Sequence, residues 1–529
     1  MRSAHGIAVW VAMLASIFAW PATAVPAAPA RPADGPAPGI TVVDIDTWID
    51  ANNINMCISN LGLLACQVGG PGFEYPRGSG HHAMYAAGVW IAAEVNGEIR
   101  AAIGAYTPEY RPGCIYPDGT YDPDSVSQHR VFKLVKGDTL SPDYAEWPAV
   151  LGAPVDTEGR PLVTGEQTLW CVYHDANPAY HWAPEGGTAP LGIEVQQTAY
   201  AFGWPVASGN VVYVEFRVIN KLANILNNAY FGLLCDPDIG GYTDDLVGCD
   251  PALDLGFGYN GEYSDDVYGI HPPAVGVEFL SGPTGPGGVP QGLTAFRGYS
   301  NGEDPTSPAE CYNFLKGLSR DGSVNIDPTT SLPTTFEFSG DPVAGTGWLD
   351  SSPCDRRFIL TSGPFDMAPG DTQQVAIAFV AAKGRGPINS VRAMKQYALA
   401  ARQAYEADFA GQFLPATEVA PGLDGVKAPG GGDVAELTEG PGLGVGPNPA
   451  VGQATIRINS LILGQYELLV IDTAGRAVRT LSGSHQLAGQ GTVTWDGRND
   501  SGEPVPPGVY SVRLIGAGRA ASAKIVLLR

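Results

Sequence analysis

The chain carries 529 residues, 44% hydrophobic and only 16% charged, a balance that supplies buried cores for several domains and excludes global disorder. Its 54 acidic against 30 basic side chains leave a formal charge of -24, which argues against nucleic acid and anionic lipid surfaces as partners and leaves cations, glycans and other proteins. Glycine (69) and proline (45) are both abundant, as expected of a turn-rich, all-β chain and not of a helical bundle.

At the N-terminus, Arg2 in a short polar start, the apolar run 7–20 and the small-x-small triplet Ala22-Thr23-Ala24 predict a signal peptide over 1–24, with the mature chain beginning near Val25. The run is short and soon followed by Pro21 and Pro26, which disfavours a membrane anchor; no later stretch is long enough to span a bilayer. Residues 25–39 are a Pro/Ala-rich linker. Export predicts that the eight cysteines pair as disulfides. Short separations favour Cys57 with Cys66 and Cys235 with Cys249, leaving Cys114, Cys171, Cys311 and Cys354 open. No C-x-x-C pair supports zinc.

From 40 to 413 the pattern predicts a large antiparallel β-sandwich ectodomain. Residues 89–95 and 98–103 are strands joined by Asn96-Gly97, the pair that best tolerates the positive φ of a two-residue hairpin turn. In 211–219, Val212, Val214, Phe216 and Val218 alternate onto one face, and 374–381 is a shorter apolar strand. One helix interrupts this pattern: Val391, Met394, Ala398, Ala401, Tyr405 and Phe409 fall near helical spacing over 390–409, a stripe that packs on a sheet.

The stretch 235–250, CDPDIGGYTDDLVGCD, holds five aspartates and no basic residue. Asp236, Asp238, Gly240-Gly241 and Asp244 follow the early frame of an EF-hand loop, whose carboxylates are hard oxygen ligands for calcium. Position 12 is Val247 and not glutamate, so a full EF-hand is excluded; a looser calcium loop of Asp236, Asp238, Asp244, Asp245 and Asp250 remains. Two other readings stand beside it. The aspartates are solvated turn residues, or they flank a glycan-binding or glycan-cleaving cleft with Tyr242, Tyr259, Tyr263 and Tyr268 nearby. Elsewhere, 298–302 matches G-x-S-x-G, but Pro305 and Pro308 argue against the helix that a nucleophile elbow needs. Adjacent His81 and His82 would point to opposite faces of a strand, and His174-Asp175 and His181 read as loop or core residues. No catalytic residue or organic cofactor is assigned.

Residues 414–446 form a Gly-rich linker without periodicity, and 447–529 return to short alternating strands: Ala454, Ile456 and Ile458; Tyr466, Leu468 and Val470; Tyr510, Val512 and Leu514. Here PNPA (447–450), YELLVIDTAGRAVRTL (466–481), TWDGRNDSGEPVPPGVYSVRL (494–514) and the terminal KIVLLR resemble the FlgD-type Ig-like domain and the C-terminal sorting domains of type IX secretion cargo. The resemblance implies a small β-sandwich with Trp495 as core anchor and turns at 472–475 and 499–502. It also implies contact with secretion or cell-envelope machinery, and a secreted, extracellular or outer-membrane-associated location. Upstream, AGVWIAAEVNGEIRAA, VYVEFRVINK and RFILTSGPFDMAPGDTQQVAIAF are similar to an uncharacterised secreted bacterial ectodomain found before such sorting domains. That likeness supports domain limits and implies no activity. The favoured expectation is a non-enzymatic surface or extracellular protein that engages a surface protein or glycan; a carbohydrate-active protein is the alternative.

Overall fold

The computed structural model describes residues 45–67, 70–104, 106–123, 127–203, 209–407, 442–446, 450–472, 476–516 and 519–528. The expected signal peptide, the 25–39 linker and most of the 414–446 linker lie outside them.

Two large sheets of antiparallel pairs carry the ectodomain. The ten-stranded sheet runs Ala295–Ser300, Arg356–Met367, Leu226–Asp236, Ala86–Val95, Leu63–Leu64, Asn55–Ser59, Phe73–Glu74, His82–Met84, with Glu98–Ile103 against Ala86–Val95 and Asp46–Ile49 against Asn55–Ser59. The nine-stranded sheet runs Arg111–Pro112, Gln167–His174, Ile193–Ala201, Val211–Asn220, Thr372–Ala382, Ala274–Ser281, Leu255–Asn260, Asp245–Asp250, with Phe132–Val135 against Gln167–His174. Their inner faces share one core, in which Val89, Ile91 and Leu233 of the first meet Val195, Phe216 and Ile377 of the second.

The period of two sorts each strand between layers. Val212, Val214, Phe216 and Val218 enter the inter-sheet core as expected, while Val211 and Tyr213 join a second core on the opposite face. The predicted hairpin closes at Asn96 (φ 53°) and Gly97 (φ 85°) between Ala86–Val95 and Glu98–Ile103. Hydrophobic side chains on both faces of the sheets require outer covers, and helices provide two of them.

There are three α-helices among the described residues: α1 (Pro142–Ala145), α2 (Pro308–Leu315) and α3 (Pro387–Glu406). Helix α3 buries Val391, Met394, Ala398 and Ala401 on the nine-stranded sheet, and Tyr405 packs at the margin. It starts three residues before the expected position, and Phe409 lies outside the described residues. Helix α2 corrects the sequence reading, because Pro308 opens a helix instead of barring one. Proline at the first turn loses no helical hydrogen bond, Ser307 caps the amide of Glu310, and Glu310 Oε2 returns to the amide of Thr306. Cys311, Tyr312, Phe314 and Leu315 then cover Trp90, Leu234 and Tyr299 on the outer face of the ten-stranded sheet.

At the C-terminus, Ala454–Ile471 pairs with Ala477–Trp495 and Gly508–Gly516, and Gly508–Gly516 with Arg519–Leu528. Ala454, Ile456, Leu468, Val470, Trp495, Tyr510, Val512, Leu514, Ile525 and Leu527 form its core, so Ala454, Ile456, Leu468, Val470, Tyr510, Val512 and Leu514 face inward as expected, while the side chains of Ile458 and Tyr466 lie outside what the structure describes. Gly442–Gly446, at the end of the expected linker, is a strand of the same sheet. Among the described residues no helix is long and apolar enough to cross a membrane.

The expected Cys235–Cys249 bridge is not formed: both are buried free thiols. Cys235 pairs with Phe358 and Ala87 in one sheet, whereas Cys249 pairs with Gly256 in the other and donates to the Glu337 carbonyl at 3.4 Å. Sequence proximity is undone because the chain changes sheets between them. The Cys66 side chain, and with it the Cys57–Cys66 pairing, lies outside what the structure describes.

Candidate functional site

The acidic stretch is that change of sheet. Leu226–Asp236 ends in the ten-stranded sheet and Asp245–Asp250 begins in the nine-stranded one. The turn between them is pinned by Asp265, whose Oδ2 accepts from the Gly241 amide at 2.7 Å and whose Oδ1 accepts from Val267 and Tyr268. Gly240 sits at φ 77°, and a Cβ there would lie 2.1 Å from Asp265 Oδ1, so both conformation and space demand glycine.

Register brings the carboxylates together. The antiparallel pairs Leu234↔Ile359 and Cys235↔Phe358 close the ladder at the end of Leu226–Asp236 and the start of Arg356–Met367, which brings residues 236–238 near 355–357. Alternation turns Cys235 into the inter-sheet core and Asp236 to the outer face, beside Tyr299, which pairs with Arg357. One carboxylate oxygen from each of Asp236, Asp238 and Asp355 lies within 4.8 Å of the other two. Unscreened carboxylates at that distance repel by on the order of 3 kcal/mol per pair at an effective dielectric of 20.

Asp236 is 4% exposed; its Oδ2 accepts from the Tyr106 hydroxyl at 2.5 Å, while its Oδ1 accepts no hydrogen bond and stands 3.6 Å from Arg357 Nε. Arg357 Nη1 is committed to both oxygens of Asp304, at 2.8 and 2.6 Å. Asp355 Oδ2 accepts from Asn301 Nδ2 at 2.8 Å. Burial pushes Asp236 up to about 6, with Asp355 and Asp304 adding to it and Arg357 and Tyr106 opposing. Burial also pushes Asp238 up to about 7, reinforced by Asp236 and Asp355.

Of the five aspartates expected in one loop, the structure joins Asp236 and Asp238 and gives the rest other partners. Asp244 accepts from Asn260 at 3.0 Å. Asp245 is fully buried, accepts from the Ile239 amide at 3.1 Å, and is held well above the ordinary carboxylate range by burial. Asp250 caps a short 3-10 turn and binds Lys395 Nζ at 2.8 Å. Asp355, absent from the sequence reading, is 117 residues beyond Asp238. Only strand pairing identifies it.

The other candidates resolve as structure. Ser300 ends a strand and helix α2 starts eight residues later, too far for a nucleophile elbow; its Oγ meets Cys354 Sγ at 3.4 Å and accepts from Arg356 at 3.2 Å. His82 lies in a short strand, while His81 packs edge-on against Tyr268 with ring centroids 5.2 Å apart. Tyr242 and Tyr263 are exposed, but Tyr259 and Tyr268 are buried, which removes two of the four aromatics expected at a cleft. His174 Nδ1 accepts from the Ala176 amide at 3.1 Å.

A second acidic centre joins Asp175 and His181, expected as loop or core residues, to Glu109, which the sequence did not single out. Fully buried Glu109 and Asp175 flank His181, at 3.6 and 3.7 Å from its ring nitrogens. Glu109 accepts from the amides of Ile103, Ala183 and Gly187, and Asp175 from those of Leu191, Gly192 and Ile193. The three Asp175 bonds close the 175–193 loop on itself, and Glu109 ties its middle, through Ala183 and Gly187, to the end of Glu98–Ile103.

At the C-terminus, Trp495 is fully buried, meets Tyr510 at 5.1 Å between ring centroids, and donates Nε1–H to the Arg498 carbonyl at 2.9 Å. Asp472 accepts from the Arg476 amide and pairs with its guanidinium, though residues 473–475 of the expected turn lie outside the described residues; the Gly502 amide donates to the Asn499 carbonyl and closes the turn at 499–502. Residues 463–518 match the FlgD Ig-like domain. The FlgD-type match thus falls on the segment that carries this core. No curated protein sequence matches the chain. Among solved structures, a polysaccharide lyase aligns with 83% of this chain and 47% of its own, at 9% identity and TM-score 0.19. Dimeric latent PorU from Porphyromonas gingivalis aligns with 69% of this chain and 32% of its own, at 11% identity and TM-score 0.15. The chain therefore spans about half the length of the lyase and a third of PorU, and no activity is carried over from either.

Proposed function

We propose that this is an exported surface or extracellular protein in which the β-sandwich ectodomain is the interacting body and the FlgD-type Ig-like domain is the sorting or docking module. The observation that carries this reading is the match at 463–518 on a segment with its own tryptophan-centred core. The signal-peptide pattern over 1–24 and the acidic composition are consistent with it. The partners of such a module are secretion or cell-envelope components, and those of the ectodomain are a surface protein or a glycan.

Deleting residues 447–529 tests the assignment in cells that produce the protein. The truncated chain is expected to leave the surface or medium fraction and accumulate inside the envelope, with the ectodomain still folded by protease resistance. Unchanged delivery of a folded truncated chain would show that the module is not the address.

A further inference from the structure

We propose that Asp236, Asp238 and Asp355 bind one divalent cation of the calcium class, and that the ion ties the end of the strand Leu226–Asp236 to the start of Arg356–Met367. This goes beyond the export reading and does not depend on it. Three observations carry it. The three carboxylates each place an oxygen within 4.8 Å of the others, the separation that two ligands at about 2.4 Å from a shared calcium span when they face each other across it. The most buried of them, Asp236, is 4% exposed, yet its Oδ1 accepts no hydrogen bond, an arrangement that native proteins rarely leave uncompensated. The adjacent guanidinium, Arg357, is held by both oxygens of Asp304 and comes no nearer than 3.6 Å to Asp236 Oδ1, outside hydrogen-bond distance.

The donor chemistry selects the ion. All three ligands are hard oxygens, which favours calcium over zinc. Asp238 and Asp355 are only partly buried, so water can complete a coordination number of about six to eight. Magnesium would require a tighter octahedron at about 2.1 Å, so it is expected to bind more weakly. Because Asp236 ends Leu226–Asp236, Asp238 lies just beyond it and Asp355 immediately precedes Arg356–Met367, the ion is a latch between two strand ends and not the ligand of a contiguous loop.

The test uses the full chain after treatment with a chelator. Adding calcium at about a hundred times its Kd should raise the melting temperature by roughly 5 °C. The rise should vanish in Asp355→Asn and persist in Asp244→Asn, whose carboxylate is engaged by Asn260. A second measurement covers the case in which Asp355→Asn fails to fold: terbium added to the unsubstituted chain should show tyrosine-sensitised luminescence, because the Tyr106 hydroxyl is 2.5 Å from Asp236 Oδ2. Calcium should displace that emission, and Tyr106→Phe should reduce it. A chain with no melting response at millimolar calcium overturns the proposal, as does an Asp355→Asn variant that responds like the parent, or terbium emission that calcium leaves unchanged.

Discussion

Replacing Arg356 with methionine probes how the two sheets are held where the chain passes between them. Arg356 and Asp350 are 8% and 5% exposed, and Nη2 meets Oδ1 at 2.6 Å. Asp350 Oδ2 also accepts from the Val247 amide in the nine-stranded sheet, while Arg356 belongs to the ten-stranded one, so the pair fastens one sheet to the other. With charge centres about 4 Å apart the attraction is roughly 4 kcal/mol at an effective dielectric of 20. Methionine keeps most of the stem volume but leaves a buried carboxylate without its cation, which costs about 3–5 kcal/mol. The double change Arg356→Met with Asp350→Leu removes the orphaned charge and should recover on the order of 2 kcal/mol of that loss. Denaturant unfolding of the parent, both single variants and the double variant measures the coupling. A single variant that loses less than about 1 kcal/mol, or a double variant no more stable than Arg356→Met, would refute the buried-pair account.

Glu109 gives a pH-dependent prediction. Burial raises its pKa from 4.5 to about 8, Asp175 adds to the rise, and three backbone amides oppose it. A carboxyl with a raised folded pKa stabilises the fold below the unfolded value and loses that contribution as pH climbs through the folded value. Glu109→Gln cannot ionise, so its stability relative to the parent should improve by on the order of 4 kcal/mol between pH 4.5 and 8, although lost amide bonds make it the weaker protein at low pH. Parallel pH profiles for the two chains would contradict this. In the C-terminal segment, Trp495→Ala removes a fully buried ring and its bond to Arg498, at a cost of about 3–5 kcal/mol. Limited proteolysis should then cut within 447–529 while the ectodomain survives; an uncut segment would mean that the tryptophan is not its anchor.

Local pattern alone placed much of this protein. Asn96-Gly97 specified a hairpin because few residue pairs adopt the required positive φ. Alternation in 211–219 named the inward face, and the stripe from Val391 to Tyr405 named the packed face of α3. Helix α2 was also legible: Ser307-Pro308-Ala309-Glu310 is a capping box with proline at the first helical position, and counting proline only as a breaker concealed it.

The candidate site was legible only in part. Asp236 and Asp238 stood out as close carboxylates, but spacing also grouped them with Asp244, Asp245 and Asp250, which the sheet change sends to Asn260, the Ile239 amide and Lys395. The same change separates Cys235 from Cys249 into different ladders. Strand period, turn chemistry and capping are properties of neighbours along the chain, and the sequence carries them openly. Register between Leu226–Asp236 and Arg356–Met367 is a property of two segments more than a hundred residues apart. It depends on which faces the whole sandwich buries, and that packing brings Asp355 to Asp236 and Asp238.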